Sequence, residues 1–470
     1  MPVVSDLVPL LYRARWIRFS VSGEVRRHRE RGGFDGHEEL SGSLLAAPDG
    51  RYRVDLVDED GDRQLMIYDG TSGGVPFREL LSPSWLLAEF DLQVTGETEH
   101  IGRVAYAVAA SPRQAGSGRA SPPADRVSVV VDAELGILLR YEKAGPGRSA
   151  ETAEFTSLRV DAAEQADPLL FIRPPQTGPA RGKPSPGGSL PAPERAGTSP
   201  ALSDDQVNLL YRTTLGPQKF SAELYEWADE ETMARLADAA LSSTSLSRPT
   251  RWLRQSAEDD PAQAVELTAL LQVAMPGSYR IEAFTDTTPK AACTACDGDR
   301  LWLVYSDRIV VRAAASPPAG ISLIIDPAWL LYGYRLLVEG TATVSGRAAL
   351  QLVAVPTGEA LPQLHQGPLS GLVAMTDKIE TTIDLELGIV LRQIWYFDSH
   401  PLLRTELAGV TEAVDLDAFR IEPPPGTRII TGGPLAEAGL TAAGAAWITA
   451  KGASKIAADI GRRWIRGPRP

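Results

Sequence analysis

Several residue classes that anchor folds or carry chemistry are scarce in this chain of 470 residues. It has five histidines and two cysteines, and the cysteines stand together as Cys293-Thr294-Ala295-Cys296. A disulfide framework is therefore excluded. Zinc would need two further ligands, and no second cysteine pair or histidine cluster offers them. We predict no metal and no cofactor, and interpret the pair as small semi-buried residues or an opportunistic disulfide.

Long apolar runs are also missing. No stretch of 18 apolar residues occurs, which excludes a membrane-spanning helix. The first 19 residues carry charges throughout and show no export signal. A net charge of −13 argues against phosphate contacts by clustered Lys and Arg. We expect a cytoplasmic protein, either free or peripheral at the membrane, whose partners do not include nucleic acid.

The motifs of common enzyme classes are absent as well. No Gly-x-Ser-x-Gly, Walker loop, His-Glu-x-x-His or dinucleotide fingerprint occurs. Charged residues that recur at predicted hairpin ends are explained by turn capping and ion pairing. They are Arg103, Asp132 and Glu134, and again Arg347, Asp384 and Glu386. We predict that the chain has no catalytic residues and is not an enzyme.

The chain does contain an internal repeat. Residues 83–112 align without gaps to residues 327–356, and 12 of the 30 positions are identical, where composition alone gives roughly two. Four further blocks recur in the same order: Leu10–Arg13 with Leu209–Arg212, Gly50–Val54 with Gly277–Ile281, Asp69-Gly70 with Asp297-Gly298, and Asp132–Ile137 with Asp384–Ile389. We interpret the chain as a tandem duplication of one domain.

The repeat and the composition together divide the chain. Eight prolines with Gly, Ser and Thr fall between residues 174 and 200, a composition typical of an extended linker rather than a core. The predicted parts are a first domain at 1–173, a disordered linker at 174–203, a second domain at 204–425 and a basic amphipathic tail at 426–470. The offset between the copies grows from 199 to 244, so we expect insertions in surface connections of the second copy, near residues 227–264 and 300–326.

Each copy predicts a short helix followed by many short strands. Ser203 and Gln206 fit a capping box, whereas Pro9 should shorten the first helix. Alternating apolar residues and Gly-rich turns predict strands throughout both copies. Ser or Asp before Pro83 and Pro327 marks two further helix starts. This pattern favours an α+β fold with an antiparallel sheet in each copy and helices on one face of it.

These blocks resemble the bacterial lipoprotein-carrier superfamily. The resemblance lies in a Gly-x-Tyr-Arg strand, an Asp-Gly turn beside an apolar strand, and a later Asp-x-Glu-Leu-Gly turn, and it is best at residues 277–282 and 297–302. It implies two copies of a strongly curved antiparallel β-sheet, an incomplete barrel, wrapped over short helices. It further implies an apolar cavity that holds acyl chains or lipidated partners.

The repeated Trp-Leu-Leu segment is the candidate binding site. The residues are Trp85, Leu86 and Leu87 in the first copy, and Trp329, Leu330 and Leu331 in the second. Three large apolar side chains in a row on a short helix cannot all face one side. They either fill the open mouth of the sheet as core or line an apolar ligand cavity.

The tail differs in charge from the rest of the chain. Residues 451–470 hold six Lys or Arg and one Asp. An apolar face with basic flanks is typical of a helix at an anionic membrane surface, and docking or disorder is the other interpretation. The candidate contacts are Ile456, Ile460, Trp464, Lys451, Lys455, Arg462 and Arg463.

Two functions remain open from the sequence. The first is a non-enzymatic binding protein that holds a lipid or acylated ligand in an apolar half-barrel cavity. The second is an RseB-like regulatory protein that binds a protein partner. A continuous cavity behind the Trp-Leu-Leu segments would favour the first, and filled cores would favour the second.

Overall fold

A computed structural model describes most of both predicted domains. The described residues are 3–14, 19–31, 36–47, 51–68, 77–112, 126–144, 150–162, 202–215, 219–229, 231–232, 235, 265–274, 278–284, 292–298, 300–304, 308–313, 319–357, 376–423 and 425–431. Residues 174–201 of the predicted linker and residues 432–470 of the predicted tail, with its candidate membrane contacts, lie outside this description. The chain divides into two compact units, one mainly up to Asn208 and one mainly from Leu209.

The first unit is a single antiparallel sheet with short helices. Its described elements are α1 (Val4–Ala14), β1 (Phe19–Arg31), β2 (Gly36–Ala46), β3 (Tyr52–Asp58), β4 (Arg63–Tyr68), α2 (Arg78–Leu81), α3 (Trp85–Glu89), β5 (Phe90–His100), β6 (Arg103–Pro112), β7 (Arg126–Asp132), β8 (Leu138–Ala144), β9 (Glu151–Phe155) and β10 (Arg159–Ala162). The strand order is β4-β3-β2-β1-β9-β8-β7-β6-β5, and β10 pairs with β1.

The second unit repeats this arrangement. Its described elements are α4 (Asp204–Leu215, across the unit boundary), β11 (Lys219–Ala228), β12 (Val265–Ala274), β13 (Ser278–Phe284), β14 (Ala292–Asp297), β15 (Arg300–Val304), β16 (Arg308–Ala313), α5 (Ala319–Ile325), the 3-10 helix η1 (Pro327–Leu331), β17 (Tyr334–Val344), β18 (Arg347–Pro356), β19 (Lys378–Asp384), β20 (Val390–Phe397), β21 (His400–Thr411), the 3-10 helix η2 (Leu416–Phe419) and β22 (Arg428–Thr431). The order is β17-β18-β19-β20-β21-β11-β12-β13-β14-β15-β16-β22.

Nine strands follow the same order in both sheets. The path from β5 through β9 and β1 to β4 corresponds to the path from β17 through β21 and β11 to β14. The hairpins β5-β6 and β17-β18 carry a register shift at the same repeat position, between Val94 and Gly96 and between Val338 and Gly340. The predicted fold class is confirmed: α+β, with an antiparallel sheet in each unit and short helices.

The second sheet extends further than the first. Strands β15 and β16 continue it beyond β14, and β22 pairs in parallel with β16. The insertion near residues 300–326 was expected in a surface connection, and this was wrong, because the region adds strands to the sheet. An open edge strand presents unpaired backbone groups, and inserted residues that pair with it satisfy those groups. β22 lies beyond residue 425, where the second domain was expected to end.

The helix that opens each unit packs against the Asp-x-Glu-Leu-Gly turn. Gly136 has φ +73°, and a Cβ there would overlap the carbonyl oxygen of Leu10 in α1. Gly388 has φ +74°, and a Cβ there would lie 2.8 Å from the same atom of Leu209 in α4. Because Leu10 and Leu209 occupy the same repeat position, two distant repeat blocks meet in the same way in both units.

The predicted helix starts are partly correct. Ser203 and Gln206 form the expected reciprocal cap, with N···O distances of 2.9 and 3.3 Å. Pro9 does not shorten α1, which runs through it to Ala14 with the ring buried. A proline removes a single N–H donor, and packing of α1 on the sheet compensates for that loss. Among the described residues, no helix has the length and hydropathy needed to cross a membrane.

Candidate functional site

The first Trp-Leu-Leu segment covers the face of the sheet on which the helices pack, here called the inner face. Leu86 and Leu87 are fully buried, whereas Trp85 is half-buried. The Trp85 indole Nε1 donates to the carbonyl oxygen of Glu79 at 3.4 Å. Its ring meets Phe90 edge-on at a centroid distance of 5.5 Å. These contacts fix α3 between α2 and the start of β5.

The second Trp-Leu-Leu segment makes the same contacts more tightly. Asp326 begins η1 by accepting from the backbone N–H of Ala328 at 3.1 Å. Trp329 is 2% exposed, and its Nε1 donates to the carbonyl oxygen of Leu323 at 3.1 Å. Its ring meets Tyr334 edge-on at 5.4 Å and stacks on Trp395 of β20 at 6.0 Å. The ring of Trp395 therefore lies on the inner face.

The structure thus brings the six candidate residues onto the inner faces, three in each unit. Leu330 and Leu331 are as fully buried as their counterparts in the first unit. In the conformation described, the segments pack as core. That they line a ligand cavity stays a prediction.

An ionic network lies beside the first segment. Arg27 on β1 pairs with Glu79 of α2 and with Glu151 of β9, the latter at 3.3 Å. The hydroxyl of Tyr141 donates to Glu151 at 2.9 Å and lies 3.2 Å from Glu79. Burial alone would raise the pKa of Glu151, but the Tyr141 hydrogen bond and the charge of Arg27 lower it below its usual value. The Arg27 guanidinium also lies 4.8 Å from the centroid of the Phe77 ring.

The second inner face carries a buried row of polar side chains instead. Glu226 on β11 is 5% exposed, and burial raises its pKa to about 8. Glu226 lies opposite Thr405 on the neighbouring strand β21. Thr405 lies opposite Gln393 on β20, and Gln393 lies opposite Thr381 on β19. Both the Arg27 network and this polar row escaped the sequence analysis. The sequence signal for both was a charged residue, Arg27 or Glu226, at a position where the alternating pattern of the strand places side chains on the inner face.

The comparisons with known proteins bear on the fold. No family model and no curated protein matches the chain. Solved structures that resemble it include the MucA/MucB complex from Pseudomonas aeruginosa, with 17% identity over 64% of this chain and 89% of that one and a TM-score of 0.27. Lipoprotein LppX from Mycobacterium tuberculosis has 13% identity over 33% and 93%, with a TM-score of 0.22. A LolA superfamily protein from Nitrosomonas europaea has 8% identity over 37% and 99%, with a TM-score of 0.18.

These structures include members of the superfamily that the sequence resembles. The overall superpositions are weak, so the fold assignment rests on the strand order and contacts of this chain itself. Both sheets have the antiparallel order and short inner-face helices that the resemblance implied.

The recurring charged residues hold turns in both units. Asp132 is fully buried and accepts from Arg103 and from the backbone N–H groups of Glu134 and Leu135, the latter two at 3.0 and 2.8 Å. Arg103 also pairs with Glu134 at 3.0 Å. The hydrogen bond to Asp132 is the main reason that the pKa of Arg103 is raised. The turn-capping interpretation is confirmed for this copy.

The second copy of this turn has nearly the same geometry. Arg347 pairs with the buried Asp384 and with Glu386, the latter at 3.0 Å. The backbone N–H groups of Glu386 and Leu387 donate to Asp384 at 2.8 and 2.7 Å. All three charged side chains of this set make bonds within the turn, so a structural role accounts for them.

The cysteines are free and buried on opposite faces of β14. Cys293 faces Glu282 across the strand pair, and Cys296 faces the buried Tyr279. Residues three apart on a strand point to opposite sides, so the two thiols cannot join in one disulfide or bind one metal together. Burial raises the pKa of Cys293 to about 11, so its thiol is protonated at neutral pH. No group of three or more His, Cys, Asp or Glu in the described ranges could hold a metal ion.

We expect the cysteines to contribute only packing. Replacing both Cys293 and Cys296 with Ala should lower the unfolding free energy by about 1 kcal/mol per site, because each change removes one small buried group. Urea unfolding of the wild-type chain should be the same with and without a reductant. A midpoint that falls when the reductant is added would reveal a disulfide and contradict this account.

The first unit also has an open cleft of about 570 Å³ on β1, β2 and β3. Its lining combines three serines, a glycine, three leucines, a glutamate and two arginines: Ser22, Gly23, Glu24, Ser43, Leu44, Leu45, Arg53, Ser157, Leu158 and Arg159. Ser157 Oγ accepts from the backbone N–H of Glu24 at 3.1 Å, which ties the far wall to β1. The cleft is distinct from the Trp-Leu-Leu segments and does not provide the apolar cavity expected there.

Proposed function

We propose that the chain is a non-enzymatic binding protein that takes a lipid or acylated ligand on the inner faces of its sheets. The observation that carries this proposal is that short helical segments cover the inner face of each sheet. Apart from the helix that opens each unit, the described elements that cover the inner faces are short, and the Trp-Leu-Leu segments among them bury their leucines there. An acyl chain offers the same kind of apolar surface and can take the place of these side chains.

The elements that cover the inner faces are too short to be stable alone. α2 has four residues, α3 and η1 have five each, and α5 has seven. Isolated helices of this length do not form in water, so these depend on their packing against the sheet. Such segments open at a lower free energy than the sheet strands. A ligand that binds the opened state stabilises it by mass action.

The equivalence of the two units supports a duplicated binding domain. The same strand order, the same Trp contacts and the same glycine contact with the opening helix occur in both. We infer that both units arose from one domain by tandem duplication and that each has one inner-face site.

A fluorescent fatty acid tests the proposal. We expect saturable binding to the full chain with quenching of tryptophan emission, because Trp329 and Trp395 would form the wall of the opened site. Trp329→Phe should weaken binding by about three- to tenfold, equivalent to about 1 kcal/mol, a fraction of the transfer free energy of a large side chain. Trp302→Phe, on β15 toward the far end of the sheet from η1, is the control and should leave the affinity unchanged. No binding of the probe by the full chain would refute the lipid proposal.

A second function is favoured by the dense packing of the inner faces. Leu86, Leu87, Leu330 and Leu331 are all fully buried, as filled cores require. A regulatory protein that binds a protein partner would use such a filled scaffold. Native mass spectrometry of the purified chain separates the two functions. Co-purified lipid supports the ligand-binding function, whereas the bare chain mass together with no fatty-acid binding supports the regulator.

A further inference from the structure

The polar row of the second sheet consists of Thr381, Gln393, Thr405 and Glu226. They lie side by side on four adjacent strands, β19, β20, β21 and β11. Adjacent strands are about 4.8 Å apart, so the row extends across roughly 14 Å. All four residues are buried, with Thr381 and Gln393 2% exposed and Thr405 and Glu226 5% exposed. Trp395 lies beside the row, two residues after Gln393 on β20 and on the same face of the sheet.

Three polar atoms of this region have no partner among the described residues. They are Thr381 Oγ1, Gln393 Nε2 and Trp395 Nε1. Two of these three, the amide and the indole nitrogens, can only donate hydrogen bonds. Buried polar groups are nearly always paired in native proteins, and each exception calls for an explanation.

The first sheet shows that the fold does not need polar residues at these positions. Equivalent registers place Val129, Tyr141, Ala153 and Arg27 in the matching row. Val129 and Ala153 are apolar, the Tyr141 hydroxyl is hydrogen-bonded, and Arg27 is ion-paired. Among these four residues only Arg27 has a buried donor without a hydrogen bond, its Nε, and that atom is ion-paired with Glu151 at 3.3 Å. The matching row of the second unit holds unbonded donors with no opposite charge beside them.

The buried side chains of α5, which covers the second row, offer no acceptor to these donors. α5 packs over β20, and its residues Ile321, Leu323, Ile324 and Ile325 are buried and apolar. In the first unit the residue that matches Leu323 is Glu79, whose carboxylate reaches both Tyr141 and Arg27. Polar donors on the second sheet thus lie under an apolar helix.

We propose that the second unit, and not the first, is the ligand-selective site, and that its polar row recognises the carbonyl oxygen of an uncharged acyl ester or amide. This inference rests on the proposed function and adds the chemistry of the ligand. Gln393 and Trp395 supply two N–H donors on one strand face, and Thr381 adds a hydroxyl. A carbonyl oxygen accepts two hydrogen bonds, which fits neighbouring donors of this kind. A carboxylate or phosphate group cannot occupy the row, because the row offers no positive charge to offset its desolvation, so the carboxylate of the fluorescent fatty acid stays in solvent.

Two probes of similar chain length test this selectivity. Monoolein presents an uncharged ester, whereas 1-octadecene presents a hydrocarbon chain without a carbonyl group. We expect the full wild-type chain to bind monoolein at least tenfold more tightly than 1-octadecene, measured by displacement of the fluorescent fatty acid. The double variant Thr381→Val, Gln393→Leu should reduce this preference to less than threefold. Its affinity for 1-octadecene should stay the same or rise.

Folding of the variant is expected because the first sheet carries Val129 where Thr381 lies. Gln272→Leu makes the same amide-to-leucine change on the half-exposed outer face of β12 and should leave the preference intact. Trp395→Phe removes the second N–H donor and should lower the preference independently. Equal binding of both probes by the wild type, or a preference retained in the double variant, overturns the inference while lipid binding stands. If neither probe binds, the proposed function fails and this inference fails with it.

Discussion

Gly136→Ala is expected to destabilise the first unit by about 3 kcal/mol or more. Two costs add at this position. The left-handed backbone, with φ +73°, costs an L-residue roughly 1–2 kcal/mol. The new methyl group would also overlap the carbonyl oxygen of Leu10, so α1 must shift, and overpacking of this kind costs roughly 1–3 kcal/mol.

A matched control separates the two costs. Gly102 also has a positive φ, +77°, but a Cβ there meets nothing within 4 Å. Gly102→Ala should therefore cost only the backbone term, about 1–2 kcal/mol. The difference between the two variants in urea unfolding measures the contact with α1.

The second unit offers the same experiment again. Gly388 lies against Leu209, with an added Cβ 2.8 Å from its carbonyl oxygen, and Gly346 is open. The less severe overlap at Gly388 should give a smaller excess over Gly346→Ala than the first pair shows. Equal destabilisation by the crowded and the open glycine in either unit would show that the helix does not rest on the turn.

Much of the fold follows from local sequence patterns. The strand at Tyr52, Val54 and Leu56 alternates in sequence, and these residues alternate in burial on β3 because a strand projects successive side chains to opposite faces. The repeat then extends each assignment to the other copy. The Ser203 cap was also predictable, since its hydrogen bonds join residues three apart.

Contacts between distant blocks were not predictable in this way. The Asp-x-Glu-Leu-Gly turn shows that Gly136 suits a positive φ, but nothing in its spacing shows that Leu10 lies against it. The contact depends on how α1 packs on the sheet. The same holds for Arg27 and Glu79, which are 52 positions apart and meet only because α2 folds over β1.

The sequence predicted the tryptophans of the candidate site but not its buried polar row, and the reason is physical. Trp85 and Trp329 were evident as large apolar residues in repeated blocks. Glu226 was not, because a charged residue after Phe220, Ala222 and Leu224 is typical of a strand end that reaches solvent. Its burial depends on the neighbouring strands β12 and β21, which the local sequence does not reveal.

Glu226 is expected to make the second unit less stable as the pH rises. Burial raises the pKa of its carboxyl to about 8 in the folded chain, whereas the unfolded value is near 4.5. Between these values the folded state binds more protons than the unfolded state, so the unfolding free energy falls as pH increases. The contribution of the protonated Glu226 carboxyl to the unfolding free energy is fully present below about pH 4.5 and is lost by about pH 8. The expected loss across this window is roughly 3–5 kcal/mol, from the size of the pKa difference.

Glu226→Gln removes this titration while keeping the shape of the side chain. The difference in unfolding free energy between wild type and variant should therefore shift in favour of the variant by roughly 3–5 kcal/mol from pH 4.5 to pH 9. Urea unfolding of the full chain at several pH values, with hydrogen exchange of residues 219–228 as a local probe, measures the effect. Glu223→Gln, three residues earlier on the same strand and exposed, is the control and should show no such trend. A difference between wild type and Glu226→Gln that stays constant with pH would mean that the carboxyl is hydrated in the folded chain, and the polar row would then not be buried.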